Sequence, residues 1–177
     1  MNLMETARTI IRLVTKDDIN NIYYLLSDSD IIKTLNMPLH KNIEDTEALV
    51  EEYLKEYEEG NKYPFAIIDK ETNQFIGVFL IKLDLFDEDC FEYTVYLDKN
   101  YWGKGICTEV LPYMEKVAFE DIKTGNFRGF IKEQNGASRK VLEKCGFKLE
   151  KIFQVEGIDG NIESYLKTRE EYLKSKK

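Results

Sequence analysis

Histidine is almost absent from the sequence: His40 is the only one among 177 residues. A metal site that needs two or more imidazole ligands is therefore excluded, and a Ser-His-Asp triad would have to use His40. This residue follows Met37-Pro38-Leu39, a segment that reads as a loop, so we expect its side chain to lie at the surface. The sequence predicts no metal site, and its chemistry should depend on carboxylates, hydroxyl groups and backbone amides.

Cysteine is also scarce, because the chain has only Cys90, Cys107 and Cys145. Their odd number and the lack of a Cys-x-x-Cys pair argue against a disulfide framework and favour a reducing compartment. The first residues contain no apolar run of signal-peptide length, and no stretch approaches the roughly 20 apolar residues of a membrane helix. We therefore expect a cytoplasmic protein that has no membrane partner.

Basic residues are in the minority: 25 Lys and Arg stand against 33 Asp and Glu, which gives a net charge of −8. Nucleic acids and anionic membranes are bound by basic surfaces, so neither is an expected partner. An acidic surface fits a cationic partner better, although it also serves solubility. With 43% hydrophobic residues, the composition is that of a folded domain. The length predicts one domain over residues 1–177, with an ordered core of about 8–172.

The order of hydrophobic patterns predicts a mixed α/β fold without internal repeats. Thr15 and Asn42 are each followed by acidic residues and helical spacing, which predicts that they cap the first two helices. Asp159-Gly160 lies between two β-type runs and predicts a hairpin turn. The tail after Tyr172 is expected to fray. The predicted elements are strands at 9–14, 63–68, 74–83, 91–97, 127–131, 147–155 and 162–168, and helices after Thr15, after Asn42, at 106–119 and at 138–144.

The segment from Asp98 to Glu109 leaves a predicted strand and enters an amphipathic helix. Gly103 and Gly105 allow a tight turn and close approach of the backbone to a ligand. The first amides of the helix have no internal partners and carry the positive end of its dipole, which suits a phosphate or pyrophosphate. Lys104 adds positive charge. The segment differs from a dinucleotide-binding Gly-x-Gly-x-x-Gly motif because Thr108 stands in place of the third glycine.

Tyr101 to Glu109 resembles the acetyl-CoA pyrophosphate loop of the GNAT superfamily of N-acetyltransferases, in particular the branch with the ribosomal-protein N-terminal acetyltransferases. A second block, Asn135 to Phe147, is similar to the Asn-x-x-Ser…Glu-Lys-x-Gly-Phe signature of that branch. The order of predicted elements also matches, so the resemblance spans Arg8 to about Tyr172. It implies a single mixed, mostly antiparallel sheet of six to seven strands flanked by about four helices. It also implies acetyl-CoA as the acetyl donor.

The resemblance further implies roles for individual residues. The backbone at Tyr96 and Leu97 would contact the pantetheine arm and the thioester, Asn135 would contact the pantetheine, and Ser138 would lie near the sulfur. Purely structural roles remain open, because Asn135-Gly136 is a common turn pair and Ser138 fits the first turn of a helix. The pyrophosphate would be held by the backbone amides of Trp102, Gly103, Lys104, Gly105, Ile106, Cys107 and Thr108.

Acetyl transfer to an amine needs a base for the ammonium proton, and Glu92 on the strand before the loop is the candidate. A solvated strand-end carboxylate is the alternative reading of Glu92. Many members of the superfamily have a tyrosine acid where this chain has Leu142. Ser138 therefore becomes the candidate acid, and departure of a free thiolate is the alternative, because a thiol has a pKa of about 8.5.

Three residues depart from the pattern of the superfamily. Cys107 stands where Gly or Ala is preferred, and we expect it to be readily alkylated. Trp102 replaces an Arg or Gln, so a cationic contact with the pyrophosphate is lost there. A packing role is the alternative interpretation of Trp102. Pro112 falls inside a predicted helix, where it removes a backbone hydrogen bond and should produce a kink.

The leading hypothesis is therefore an N-acetyltransferase that moves acetyl from acetyl-CoA to a primary amine, which is a protein N-terminus, a polyamine or a small molecule. A non-catalytic acyl-CoA sensor or interaction module is the alternative, and an unrelated nucleotide-phosphate binder is a third. Acceptor specificity should lie in the first two helices, the link from Ile31 to His40 and the Asp159-Gly160 hairpin. A homodimer is compatible with such a fold. A cationic acceptor is suggested by the acidic residues Asp28, Asp30, Glu44 and Asp45.

Overall fold

Strands and helices follow one another along the chain largely in the order that the hydrophobic patterns predict. The computed structural model of the protein describes residues 3–35 and 37–176. Three short turns of other helix types accompany the regular elements, at Lys16–Asp18, Lys99–Tyr101 and Val117–Ile122. The regular elements are β1 Met4–Glu5, β2 Thr9–Leu13, α1 Ile19–Leu26, α2 Ser29–Ile32, α3 Ile43–Glu58, β3 Lys62–Asp69, β4 Phe75–Leu83, β5 Cys90–Leu97, α4 Ile106–Lys116, β6 Asn126–Lys132, α5 Gly136–Lys144, β7 Lys148–Phe153, β8 Ile162–Thr168 and α6 Arg169–Ser175.

The strands form one mixed sheet in the order β1-β2-β3-β4-β5-β6-β8-β7. The pair β5·β6 is parallel, whereas β1·β2, β2·β3, β6·β8 and β7·β8 are antiparallel. Eight strands and six α-helices are thus found among the described residues, so the expected six to seven strands and about four helices were too few. The additional elements are the two-residue β1, the four-residue α2, and α6.

Helix α6 extends to Ser175 and so includes the first residues of the tail that was expected to fray; residue 177, the last of that tail, lies outside the described residues. Thr168 caps this helix, and the side chain of Glu171 returns the bond to the Thr168 amide, which completes a capping box. Tyr172 is buried, and its ring stacks on Phe119 at 4.9 Å between centroids. Burial of this aromatic ring anchors the helix. Regular structure therefore extends beyond the expected core of residues 8–172 at both ends.

The chain divides into two compact units. The first comprises the described residues as far as Leu80 together with Thr94–Ile106, and the second comprises Ile81–Tyr93 with the described residues from Cys107 onward. Core residues of the first unit come from its helices and strands, and include Ile22, Val50, Ala66, Val78 and Tyr96. In the second unit, Phe127 of β6 packs edge-on against Phe119 and lies at a tilt to Phe147.

The predicted caps of the first two helical segments are present. Thr15 and Asp18 form a capping box ahead of α1, and Asp18 also pairs with Arg12 at 2.7 Å. Asn42 and Asp45 form the same motif at the start of α3. In the second unit, Pro112 lies inside α4, which continues to Lys116; the expected kink stays a prediction.

The side chain of His40 is buried, so the expectation that it lies at the surface was wrong. It lies outside regular structure, as predicted, but it is only 6% exposed. Its backbone amide donates to the Leu26 carbonyl at 3.0 Å, and its Nδ1 lies 2.8 Å from the Thr46 hydroxyl. Burial lowers the pKa of the His40 imidazole, although Asp45 acts in the opposite direction. Contacts with α1 and α3, which a local pattern does not show, bury the ring.

No helix in the described part of the chain is both long and apolar enough to cross a membrane.

Candidate active site

The glycine turn predicted between β5 and α4 is present. Asp98 accepts a hydrogen bond from the Asn100 amide at 2.8 Å and so starts the helical turn that precedes the loop. Gly103 and Gly105 then adopt φ of +70° and +77°, in the left-handed region that glycine tolerates best. Apart from its two chain neighbours, no described residue has an atom within 4 Å of the position that a Cβ on Gly103 would take. Helix α4 begins at Ile106, directly after this turn.

Arg8 contacts the glycine turn, and this contact was not predicted from the sequence. Its Nη1 donates to the Lys104 carbonyl at 2.8 Å, and its Nη2 lies 3.6 Å from where a Cβ on Gly105 would be. A cation therefore lies beside the loop, although Trp102 replaces the Arg or Gln of the superfamily pattern. The Lys104 ammonium lies 5.3 Å from the centroid of the Tyr101 ring. The contact joins residues 96 positions apart, so local motifs gave no signal for it.

Trp102 has a structural partner. Its indole Nε1 donates to the Leu97 carbonyl at 3.0 Å, which ties the loop to the end of β5. Tyr96, the neighbour of Leu97, buries its side chain in the core of the first unit. A Cβ added to Gly77 of β4 would lie 2.5 Å from the Tyr96 carbonyl, so the two strands approach closely at the predicted pantetheine-binding backbone.

The parallel ladder between β5 and β6 covers four residue pairs, from Cys90↔Asn126 to Tyr93↔Gly129. Residues 94–97 of β5 lie beyond the last of these pairs. This is the segment for which the resemblance implies contacts with pantetheine.

Asn135 and Ser138, in the second unit, contact each other. The Asn135 Oδ1 accepts a hydrogen bond from the Ser138 amide at 3.1 Å and so caps α5. Asn135 therefore has a structural role, which the sequence left open as an alternative to contact with pantetheine. Among the described residues, the Ser138 hydroxyl has no hydrogen-bond partner, and no hydrogen bond joins Ser138 to Glu92.

Glu92 is paired rather than solvated. Its Oε1 lies 2.6 Å from the Lys82 ammonium, and its side chain is 14% exposed. In the parallel ladder it stands opposite Arg128, which pairs with Asp84 at 2.5 Å and with Glu150 at 3.1 Å. The carboxylate is thus held in place by a neighbouring cation, next to a second group of paired charges.

Cys107 is only partly buried, but desolvation of its thiol disfavours the expected ready alkylation. Burial, with a further contribution from Cys145, raises the pKa of the Cys107 thiol to about 11. Burial also raises the pKa of Cys145 to about 11 and that of Cys90 to about 12. The thiolate is the reactive form, and it is scarce at neutral pH in all three residues.

Several acidic residues of the proposed acceptor region have partners of their own. Asp28 caps α2 and pairs with Lys99 at 2.8 Å, and Lys99 lowers the pKa of Asp28. Asp45 belongs to the capping box of α3. A shallow groove of about 500 Å³ lies nearby, lined by Leu39, Leu49 and Glu52 among others. Among the described residues, no group of three or more His, Cys, Asp or Glu could hold a metal ion.

The sequence of the chain matches a known family over most of its length. The family model described as the acetyltransferase (GNAT) domain matches residues 8–148. The chain belongs to this family. The predicted resemblance is thereby confirmed, and the protein is an acetyltransferase of the GNAT family.

Individual relatives agree with this assignment. An uncharacterised N-acetyltransferase, p20 of Bacillus licheniformis, is 22% identical over 154 residues, which are 87% of this chain and 86% of the relative. The structure of a ribosomal-protein-S5-alanine acetyltransferase from Vibrio fischeri is similar with a TM-score of 0.84, 18% identity and coverage of 97% and 99% of the two chains. Spermidine N-acetyltransferase from Vibrio cholerae, in complex with CoA and spermine, has a TM-score of 0.80, 16% identity and coverage of 93% and 98%. These structures show that the fold is shared.

Proposed function

We propose that this GNAT protein transfers the acetyl group of acetyl-CoA to a primary amine, by direct attack in a ternary complex. The observation that carries the proposal is the turn at Gly103 and Gly105, with φ of +70° and +77°, immediately before the first residue of α4. Such a turn exposes backbone amides, and the helix start adds the positive end of a dipole. Further support comes from the Vibrio cholerae relative, which was solved with CoA and the polyamine spermine.

The residues of this chain would bind and orient the donor. The backbone amides from Trp102 through Thr108 hold the diphosphate, and backbone groups of Tyr96 and Leu97 contact the pantetheine arm and the thioester. Asn135 contacts the pantetheine in addition to capping α5. When bound, acetyl-CoA supplies the acetyl group as a thioester. Backbone amides near the carbonyl oxygen stabilise the charge that develops there.

Two side chains would move protons. Glu92 accepts the proton of the acceptor ammonium, directly or through a water molecule, so that the neutral nitrogen can attack the thioester carbon. The bond from that carbon to sulfur then breaks, the thiolate leaves, and the attacking nitrogen loses its surplus proton to solvent, which gives the neutral amide. The Ser138 hydroxyl, or solvent, returns a proton to the sulfur, whose ordinary pKa of about 8.5 makes a dedicated acid optional.

Release of the CoA thiol in the presence of candidate amines tests the proposal. We expect acetyl-CoA turnover that depends on both enzyme and amine, in a panel of peptides with free N-termini, polyamines and small amines. Binding of CoA without turnover on any amine would instead favour the sensor alternative. Protection against thermal unfolding by ATP but not by CoA would favour the nucleotide binder.

Glu92→Gln is expected to lower kcat at least about tenfold, because a carboxamide cannot accept the ammonium proton. The rate of the variant should recover partly at high pH, where more of the amine is already neutral, while the Kd for CoA stays unchanged. The measurement is a pH profile of kcat on the best amine. Glu88→Gln is the matched control, since Glu88 is an exposed carboxylate in the turn before β5. Wild-type rates in Glu92→Gln would remove Glu92 from the mechanism.

Three further expectations stay predictions: that the acceptor is a protein N-terminus, a polyamine or a small amine, that the protein forms a homodimer, and that it is cytoplasmic.

A further inference from the structure

Arg8 contacts the glycine turn from outside the loop. It lies in the connection between β1 and β2, and its Nη1 donates a hydrogen bond of 2.8 Å to the Lys104 carbonyl. Its Nη2 lies 3.6 Å from the position of a Cβ on Gly105. The guanidinium group therefore lies against the peptide unit that joins Lys104 to Gly105. All of these residues belong to the first unit.

The geometry of a peptide unit gives this contact a consequence. In a trans peptide the carbonyl of one residue and the amide N–H of the next point in opposite directions, and the described residues contain no cis peptide bond. The Lys104 carbonyl points toward Arg8. The Gly105 N–H must therefore point away from Arg8, on the other side of the turn.

This peptide unit needs a partner to keep its orientation. Rotation of the unit changes ψ of Lys104 and φ of Gly105, and glycine accepts φ of either sign at little cost. A turn with glycine at 103 and 105 thus has an alternative state in which the carbonyl and the N–H exchange places. In that state a carbonyl oxygen, the negative end of the peptide dipole, would face a bound anion. A charge-assisted hydrogen bond from a guanidinium to the Lys104 carbonyl disfavours this alternative state.

We propose that Arg8 is a positioning residue for the donor: it holds the Lys104 carbonyl away from the diphosphate and thereby directs the Gly105 amide toward it. The inference rests on the proposed function, because it assumes that this turn binds the diphosphate of acetyl-CoA. Arg8 acts through the loop backbone, and its positive charge also favours an anion nearby.

The test compares CoA with dephospho-CoA, which keeps the diphosphate but lacks the 3′-phosphate. Trp102 is the single tryptophan of the chain and lies in the loop, so its fluorescence reports binding of either compound. For Arg8→Ala we expect the Kd of both compounds to rise by a similar factor of at least about ten. The KM for acetyl-CoA should rise by the same factor, while kcat and the KM of the amine stay unchanged. Arg8→Lys, which retains a cationic donor, should restore part of the affinity.

Arg169→Ala is the matched control, because it removes an exposed arginine from the start of α6. This control should bind both compounds as the wild type does. Equal CoA affinity in Arg8→Ala and wild type would overturn the inference and leave the proposed function standing. A loss for CoA but not for dephospho-CoA would also overturn it, because Arg8 would then contact the 3′-phosphate itself. Failure of the wild type to bind either compound would remove the proposed function and this inference together.

Discussion

Gly105→Val is expected to raise the Kd for CoA more than about 100-fold. The φ of Gly105 is +77°, a conformation that costs a β-branched residue roughly 1–2 kcal/mol. The new side chain would also start 3.6 Å from Arg8 Nη2, so its methyl groups would displace the guanidinium from the Lys104 carbonyl. Loss of the turn conformation removes the aligned amides on which diphosphate binding depends. Titration calorimetry with CoA measures the effect.

Gly157→Val provides a control for backbone strain alone. Gly157 has φ of +82°, and in the described part of the chain no atom beyond its two neighbours lies within 4 Å of its Cβ position. Both variants should therefore lose a similar amount of stability, which thermal unfolding followed by circular dichroism can measure. CoA affinity should fall in Gly105→Val and stay unchanged in Gly157→Val. Wild-type affinity in a folded Gly105→Val protein would contradict the assignment of the loop.

Local chemistry made much of the fold predictable. The caps at Thr15 and Asn42 depend on a few neighbouring residues, and both are present in the structure. Gly160 has the φ of +81° that suits a glycine, but the connection between β7 and β8 is longer than a tight hairpin turn at Asp159-Gly160, and it makes its turn at residues 156–157. Helix α6 was not predicted although Thr168 and Glu171 have the spacing of a capping box; its last residues, after Tyr172, were expected to fray. What anchors this helix is the packing of Tyr172 on Phe119, a contact between residues far apart in the sequence.

The candidate site also has some features that the local sequence predicts and others that depend on tertiary contacts. The left-handed turn at Gly103 and Gly105 follows from residue type and spacing, so the sequence was sufficient to predict it. Three features are tertiary effects: the bond from Arg8 to the loop, the Lys82 partner of Glu92 and the desolvation of the Cys107 thiol. No local pattern contains them, and they change the expected chemistry of the residues concerned.

A buried ion pair in the second unit was also invisible in the sequence. The Lys167 ammonium on β8 lies 2.7 Å from Oε2 of Glu115 on α4, and the two side chains are 7% and 5% exposed. Lys167 also donates to the Cys145 carbonyl at 2.8 Å. The other carboxylate oxygen of Glu115 has no partner among the described residues. Burial raises the pKa of Glu115, and the bond from Lys167 opposes that rise.

Lys167→Met is expected to lower the free energy of unfolding by about 3–5 kcal/mol at pH 8, because it leaves the Glu115 carboxylate buried without a cation. The double variant Lys167→Met/Glu115→Leu removes both charges and should recover most of this loss. Urea unfolding of wild type, single and double variants measures both effects. A double variant as unstable as the single one would show that packing around Lys167, rather than the uncompensated charge, determines the loss.

The pH dependence of Lys167→Met follows from the direction of the Glu115 pKa. A carboxyl group whose pKa is higher in the folded than in the unfolded protein binds its proton more tightly when folded, so it favours folding at low pH and loses that effect as the pH rises. Without Lys167 the pKa of Glu115 should rise further. The difference in stability between wild type and the single variant should therefore be smaller at pH 5 than at pH 8, whereas the double variant should show no such dependence. An equal deficit at both pH values would mean that the folded variant binds no additional proton at Glu115 between pH 8 and pH 5, so that loss of Lys167 does not raise the pKa of Glu115, and the electrostatic account of this pair would be wrong.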